Sequence, residues 1–201
     1  MKTRMMFTIL CLVILGTTDT LHAQCKMENK AFQAGETLEY TLHFNWKFIW
    51  VKAGTATLTT QSTTWNGKPC YKSHLITRTN KRLDKFFAMR DTLLSIVGQD
   101  LVPYYYKKAA NEGGKYYVDE VWYDYKGGRT HLKQHYLNRH GIARDTANTS
   151  AECVYDMLSM MLSSRSYDAS RFREGEKLVF PMADGRKIEP TTLIYRGKKN
   201  F

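Results

Sequence analysis

Apolar and polar residues begin to alternate strictly at Leu38, where Leu38, Tyr40, Leu42, Phe44 and Trp46 interleave with Glu39, Thr41, His43 and Asn45. Successive side chains of a strand point to opposite faces, so this run predicts a strand with one buried and one wet face. The pattern carries on through Phe48 and Trp50, pauses at Gly54, and resumes as Thr55-Ala56-Thr57-Leu58-Thr59, whose threonines suit a pleated surface. Asn66-Gly67 can supply the positive φ values of a tight hairpin turn, and Pro69 marks the entry to a third strand, Cys70 to Thr79. Between Lys81 and Ala88 the two-residue period is lost, which predicts a short helical turn bearing Leu83, Phe86 and Phe87 ahead of a strand from Asp91 to Val97. Strands from Leu101 to Ala109 and from Lys115 to Asp124 flank Asn111-Glu112-Gly113-Gly114, and Gly127-Gly128 turns the chain into Arg129 to Leu137. Strands at this spacing imply an antiparallel meander.

One segment follows a helical period instead. Val154, Met157, Leu158, Met161 and Leu162 share one face of a helix expected from about Ser150 to Ser163, with Thr149 and Glu152 spaced as a capping box. That face should pack on the sheet. The segments Lys177 to Met182 and Arg186 to Tyr195, joined at Asp184-Gly185, read as a last hairpin, with Pro190 restricted to an edge or a bulge. Its second strand would leave an uncovered edge from Thr191 to Tyr195. The expectation is further strands after Phe201, or self-association through that edge if the chain ends there. The fold class is therefore mainly β with one packed helix (α+β), an antiparallel meander in a curved sheet.

The first residues change the picture of where this chain works. Lys2 and Arg4 precede an uncharged run from Met5 to Gly16, too short to span a bilayer, and Leu21-His22-Ala23 suits a signal peptidase. Residues 1–23 are read as a signal peptide, and residues 24–201 as a single β-rich domain exported to the periplasm or the extracellular space. The alternative, a lipid anchor on Cys25, is disfavoured because Gln24 before it is not small. Cleavage removes Lys2, Arg4 and Asp19, so the net charge of +11 falls to +10. A basic balance favours polyanionic neighbours, and export argues against nucleic acid among them. The cations are scattered, however, with no run of five, and a solvated surface explains them as well.

Cys25, Cys70 and Cys153 remain after cleavage. An odd number leaves one unpaired or all three reduced; Cys153 opens the apolar helical face and reads as a buried small hydrophobe, and only the compartment speaks for a Cys25 to Cys70 disulfide.

Phe32, Gly35, Glu36, Leu38 and Tyr40, then Ala53-Gly54-Thr55-Ala56, Phe86-Phe87 with Arg90-Asp91 and Ser95, Pro103, Glu112-Gly113 and Asp156-Met157-Leu158-Ser159 occur in an order that resembles an exported bacterial family labelled domain of unknown function 3108. The resemblance covers most of the chain after residue 24. It implies a partly open barrel, similar in outline to periplasmic lipoprotein carriers, in which a curved sheet wraps a helix. It carries no activity, and members of the family continue for several more strands.

The candidate chemistry is thin. His131 and His135 lie four apart, but in a strand that is roughly 13 Å, too far to share one metal ion, and they read as surface histidines. Asp84, Asp91, Glu112, Asp119, Glu120 and Asp124 offer carboxylates without marking any pair, and Asp91 beside Arg90 reads as an internal ion pair or a turn residue. Nucleophile elbow, phosphate loop, dinucleotide fingerprint and metalloprotease helix are absent, so a catalytic role is disfavoured and no cofactor or metal is called for. The aromatic clusters Tyr104-Tyr105-Tyr106, Tyr116-Tyr117 and Trp122-Tyr123 say more, since neighbours in a strand must occupy both faces. Tyr105, Tyr117, Trp122 and Lys107 are the expected ligand-binding residues, for a lipid or envelope glycan. Asp145-Thr146-Ala147, placed between strand and helix, makes Thr146 an expected glycosylation site. The reading is a non-catalytic binding module, with a structural envelope protein or a glycan-active enzyme as alternatives.

Overall fold

The computed structural model describes residues 25–46 and 49–198. The signal peptide expected over residues 1–23 lies outside them. Eight antiparallel strands follow one another in sequence order: β1 (Thr37–Trp46), β2 (Ile49–Trp65), β3 (Lys68–Thr79), β4 (Met89–Gly98), β5 (Pro103–Glu112), β6 (Lys115–Lys126), β7 (Arg129–Leu137) and β8 (Ala143–Ser150). The sheet is not closed into a barrel, since β1 and β8 each pair on one side only. The helix α1 (Met157–Arg165) follows, then a separate hairpin of β9 (Lys177–Asp184) and β10 (Lys187–Ile194). The turns sit where glycine or asparagine can adopt positive φ, as at Asn66-Gly67, with φ of 49° and 77°.

The inner face of the sheet carries the core. Leu58, Leu93, Val97, Tyr106, Val121, Tyr123 and Leu132 pack against Val154, Leu158 and Leu162 of the helical segment and Ala183 of β9. The helix begins seven residues later than the sequence predicts, because Ser150 still belongs to β8. Asp156 is the N-cap: its Oδ1 accepts from the amides of Leu158 (3.0 Å) and Ser159 (2.7 Å), and its own amide donates to Ser159 Oγ (2.9 Å). The expected cap at Thr149 and Glu152 is corrected accordingly. The buried face is also rotated, since Met157 is exposed while Met160 is buried in a second cluster with Tyr155 and Cys25.

Strand β8 has no counterpart in the sequence reading. Its inner-face residues, Arg144, Thr146, Asn148 and Ser150, are all polar, because that face meets the β9–β10 turn rather than the apolar core. Thr146 Oγ1 (3.3 Å) and Asn148 Nδ2 (3.0 Å) both donate to the Arg186 carbonyl. Gln134, buried in β7, donates to the carbonyls of Gly185 (3.0 Å) and Lys187 (3.3 Å), and Asp119 Oδ2 in β6 accepts from the Gly185 amide (2.8 Å). A polar clamp from three strands thus holds the hairpin turn.

The N-terminal segment crosses α1 as a strap. Cys25 is disulfide-bonded to Cys153, and Cys70 is the buried free cysteine, so both the Cys25–Cys70 pairing and the reading of Cys153 as a plain hydrophobe are corrected. Arg165 donates to both oxygens of Glu36 (2.7 and 2.9 Å) and to the Ala31 carbonyl (3.2 Å) while stacking over Phe32. Arg90 pairs with Asp84 (2.5 Å) instead of Asp91, which points to the other face of β4.

Candidate functional site

The turns set the register of the outer face. Closing β5 to β6 at Glu112 and Lys115 places Tyr105 opposite Trp122, and closing β6 to β7 at Lys126 and Arg129 places Trp122 opposite Lys133. Parity puts Tyr105 and Trp122 on the face away from α1, while Tyr106 and Tyr123 enter the core. Tyr104 follows neither face. It is the extra residue of a bulge, between Pro103 paired with Val97 and Tyr105 paired with Ile96, and its ring meets Tyr125 and lies beneath Lys68.

Three rings run across the outer face. Trp65, from the end of β2, stacks on Tyr105 at 5.5 Å between centroids, and Tyr105 meets Trp122 at 5.7 Å. The Tyr105 hydroxyl donates to Glu120 Oε1, and Lys107 Nζ stands 3.6 Å from Glu120 Oε2. Burial and the Glu120 carboxylate both push the Tyr105 hydroxyl well above its usual pKa, so it stays protonated as a donor. Beyond Trp122 the sheet forms an open cleft of about 1110 Å³, with Trp65, Tyr104 and Trp122 as its aromatic lining and Asn66, Asp124, His131, Lys133 and Asp145 as its polar lining. His131 Nδ1 contacts Thr149 Oγ1 (3.2 Å), and His135 Nδ1 contacts Asp145 Oδ1 (2.6 Å). Among the described residues no group of three or more His, Cys, Asp or Glu could hold a metal ion.

Of the four expected ligand-binding residues, Trp122 lines the cleft, Tyr105 supports it from between two tryptophans, and Lys107 lies one row away, tied to Glu120. Tyr117 is brought elsewhere. It projects from the inner face of β6, donates to Glu112 Oε1 (2.9 Å) and sits under Lys108 (5.0 Å to the ring centroid). Thr146 lies within β8 rather than in a loop, so a glycan on it would have to displace its bond to Arg186. Trp65 and the β8 side of the cleft were missed by sequence reasoning. The only signal for Trp65 is its place beside the Asn66-Gly67 turn, which says nothing of a partner on β5, two strands beyond β3.

The inner face near Tyr117 holds a smaller cleft of about 330 Å³, lined by Lys108, Tyr117, Asp119, Tyr136, Met157 and Met182 among others. Burial raises the Asp119 carboxyl to about 6, and Oδ1 is buried with no hydrogen-bond partner among the described residues. Asp91 is likewise raised to about 6, by burial and then by the neighbouring Glu112. Unfolded aspartates titrate near 3.9, so between about pH 4 and 6 the folded protein binds more protons than the unfolded chain. The stability tied to these groups is full below pH ~4 and is lost as pH rises through 6. Asp119→Asn keeps an acceptor for Gly185 and removes the charge. It should raise stability at pH 7.5 by about 1–2 kcal/mol and flatten the fall between pH 4 and 7. Urea midpoints at both pH values check this, and an unchanged slope would show that nearby Lys108 already compensates the carboxylate.

The fold and its open aromatic face define a β-rich meander half-wrapped around one helix. The chain belongs to the family described as a protein of unknown function (DUF3108), whose family model matches residues 39–201. No curated protein and no solved structure matches it.

Proposed function

We propose that the protein is a non-catalytic binding module of the cell envelope that captures a glycan on the outer face of its sheet. The observation that carries this reading is the Trp65–Tyr105–Trp122 ladder opening onto a wide cleft with amide, imidazole, ammonium and carboxylate groups along it. An aromatic surface offers a flat apolar face for the C–H side of a sugar ring, and the polar groups beside it can meet the hydroxyls. An amphiphile with an apolar tail fits this cleft less well, because charged and amide groups interrupt its apolar lining.

The Cys25–Cys153 disulfide supports placing the protein in an oxidising, extracytoplasmic compartment. It also engages the sulfur that a lipid anchor on Cys25 would need, which favours cleavage before Gln24 and release. Among the described residues no helix is long and apolar enough to cross a membrane.

A panel of envelope glycans, read by calorimetry, tests the proposal. Trp122→Ala should weaken the bound glycan about tenfold, which corresponds to ~1.4 kcal/mol. Trp122 is 37% exposed and packs on Tyr105, so the truncation should lower the melting temperature somewhat, and a thermal melt must show the variant folded at the assay temperature. Absence of any bound glycan would leave the structural role, and measured glycan turnover would move the protein to the enzyme class.

A further inference from the structure

The end of β2 opposite Trp65 carries a different surface. Strand β3 pairs with β2 only as far as Gly54 opposite Thr79, so β1 and β2 continue beyond that point as a two-stranded arm. The arm is apolar on both faces. Phe44 and Val51 are opposite partners on one side, and Trp50, opposite Asn45, faces the other. Phe44 is 55%, Val51 47% and Trp50 69% exposed, far above what alternation toward a core would leave. The expectation of one buried face along this run therefore fails here: no third strand or helix of the described residues reaches the arm.

Beside the arm stands the short turn Leu83–Lys85, which presents Phe86 at 87% exposure. The turn is pinned rather than loose. Asn80 donates through Nδ2 to the Lys52 carbonyl (2.5 Å) and accepts at Oδ1 from the Leu83 amide (3.0 Å), while its amide donates to the Ala53 carbonyl (2.8 Å). Asp84 is held by Thr79 Oγ1 (2.5 Å) and by Arg90. A groove of about 500 Å³ separates arm and turn, bordered by Val51, Lys52, Lys81, Arg82 and Phe86. Arg78 and Lys85 flank Lys81 and Arg82 in the chain, and the one carboxylate of the turn, Asp84, is already paired with Arg90.

Aromatic rings at a rigid tip surrounded by cations match the chemistry of an interface where apolar chains begin beneath anionic phosphates. Aromatic side chains settle at the headgroup level and Lys and Arg meet the negative surface potential. We propose that the arm and the Phe86 turn form a membrane-docking tip that seats on a lipid surface carrying anionic headgroups. Docking there would leave the outer-face cleft free, so the inference does not rest on the glycan reading.

Vesicle sedimentation of the exported protein tests it, with phosphatidylglycerol-containing vesicles against pure phosphatidylcholine vesicles, both free of glycan. The protein should partition to the anionic vesicles, and added salt should weaken that partitioning. The double variant Phe44→Ser, Trp50→Ser should lose at least about tenfold in partitioning. Lys81→Glu with Arg82→Glu should lose a comparable amount on anionic vesicles only. Trp122→Ala should bind vesicles as the parent does. Thermal melts confirm that the variants fold, since every substituted side chain is exposed. Parent protein that ignores both vesicles, or variants that bind as well as the parent, overturns the proposal. A lipid-free dimer in ultracentrifugation that Phe44→Ser, Trp50→Ser disperses would assign the tip to a second copy of this chain instead.

Discussion

Cys25→Ser is expected to destabilise the protein by about 3–5 kcal/mol, the largest effect of any single side-chain change proposed for it. The bond it removes closes a loop with a sequence separation of 128 residues, so most of the β meander lies between its ends. In the chain-entropy account a loop of that size restricts the unfolded ensemble by about 4–5 kcal/mol. Folded contacts add to this. Both sulfurs belong to the cluster of Tyr155, Met160 and Phe180 under the strap, and the strap goes on to place Met27 against the Asp100 carbonyl and Glu36 against Arg165. Cys153→Ser and the double variant should match Cys25→Ser within about 1 kcal/mol, since each removes the same link. Urea unfolding with and without a reductant measures it. A thiol count gives an independent check: the unfolded protein beginning at Gln24 should react with one equivalent, from Cys70, whereas a lipid on Cys25 would leave Cys70 and Cys153 both reactive. Equal urea midpoints for oxidised and reduced protein would sink the prediction.

Gly54→Ala is the second large effect, at about 3 kcal/mol. A β-carbon at Gly54 would stand 2.1 Å from the Arg78 carbonyl oxygen and 2.9 Å from the Thr79 α-carbon. Both obstacles are backbone, held in the β2–β3 ladder, so neither can swing aside as a side chain would. The crowding has a local origin. The register of β1 and β2 shifts between Leu42 and His43, and Asn80 folds back onto Ala53, which draws the end of β3 against β2 where the arm departs. Thr55→Ala, one exposed residue further on, should cost under about 1 kcal/mol. If the two variants unfold at the same urea concentration, the close approach does not constrain the fold. A selective effect of Gly54→Ala on vesicle binding, beyond its effect on stability, would show that this junction also sets the angle of the arm.

Much of the sheet was legible because its information is local. Asn66-Gly67, Gly113-Gly114 and Gly127-Gly128 mark hairpin turns by residue chemistry alone. Once a turn is placed, antiparallel pairing follows by counting outward from it, which is how Tyr105 comes to face Trp122. Alternation likewise assigns Tyr106 and Tyr123 to the core and their neighbours to the outer face. Strand β8 escaped because the side chains on its inner face contact a polar turn, so no apolar period was needed to bury it. The helix start was misplaced because Thr149–Glu152 and Asp156–Ser159 both have cap spacing, and only the buried position of Asp156, with Ser95 Oγ 3.3 Å from its second oxygen, decides between them.

The candidate site divides along the same line. Its middle, Tyr105 with Trp122 and Lys133, spans adjacent hairpins and can be counted from two turns. Its remaining parts depend on sheet twist and strand order: Trp65 reaches Tyr105 across two intervening strands, and β8 supplies Asp145 and Thr149 to the far wall. The partner of Cys25 is of the same kind, because the choice between Cys70 and Cys153 depends on which of them the strap passes after 128 residues have folded. The sequence by itself determined the meander, its turns and which side chains share a face, since these follow from backbone chirality and a two-residue period. Only the tertiary structure decided which distant elements meet, because such contacts depend on how far a curved sheet bends between them, and no local pattern records that.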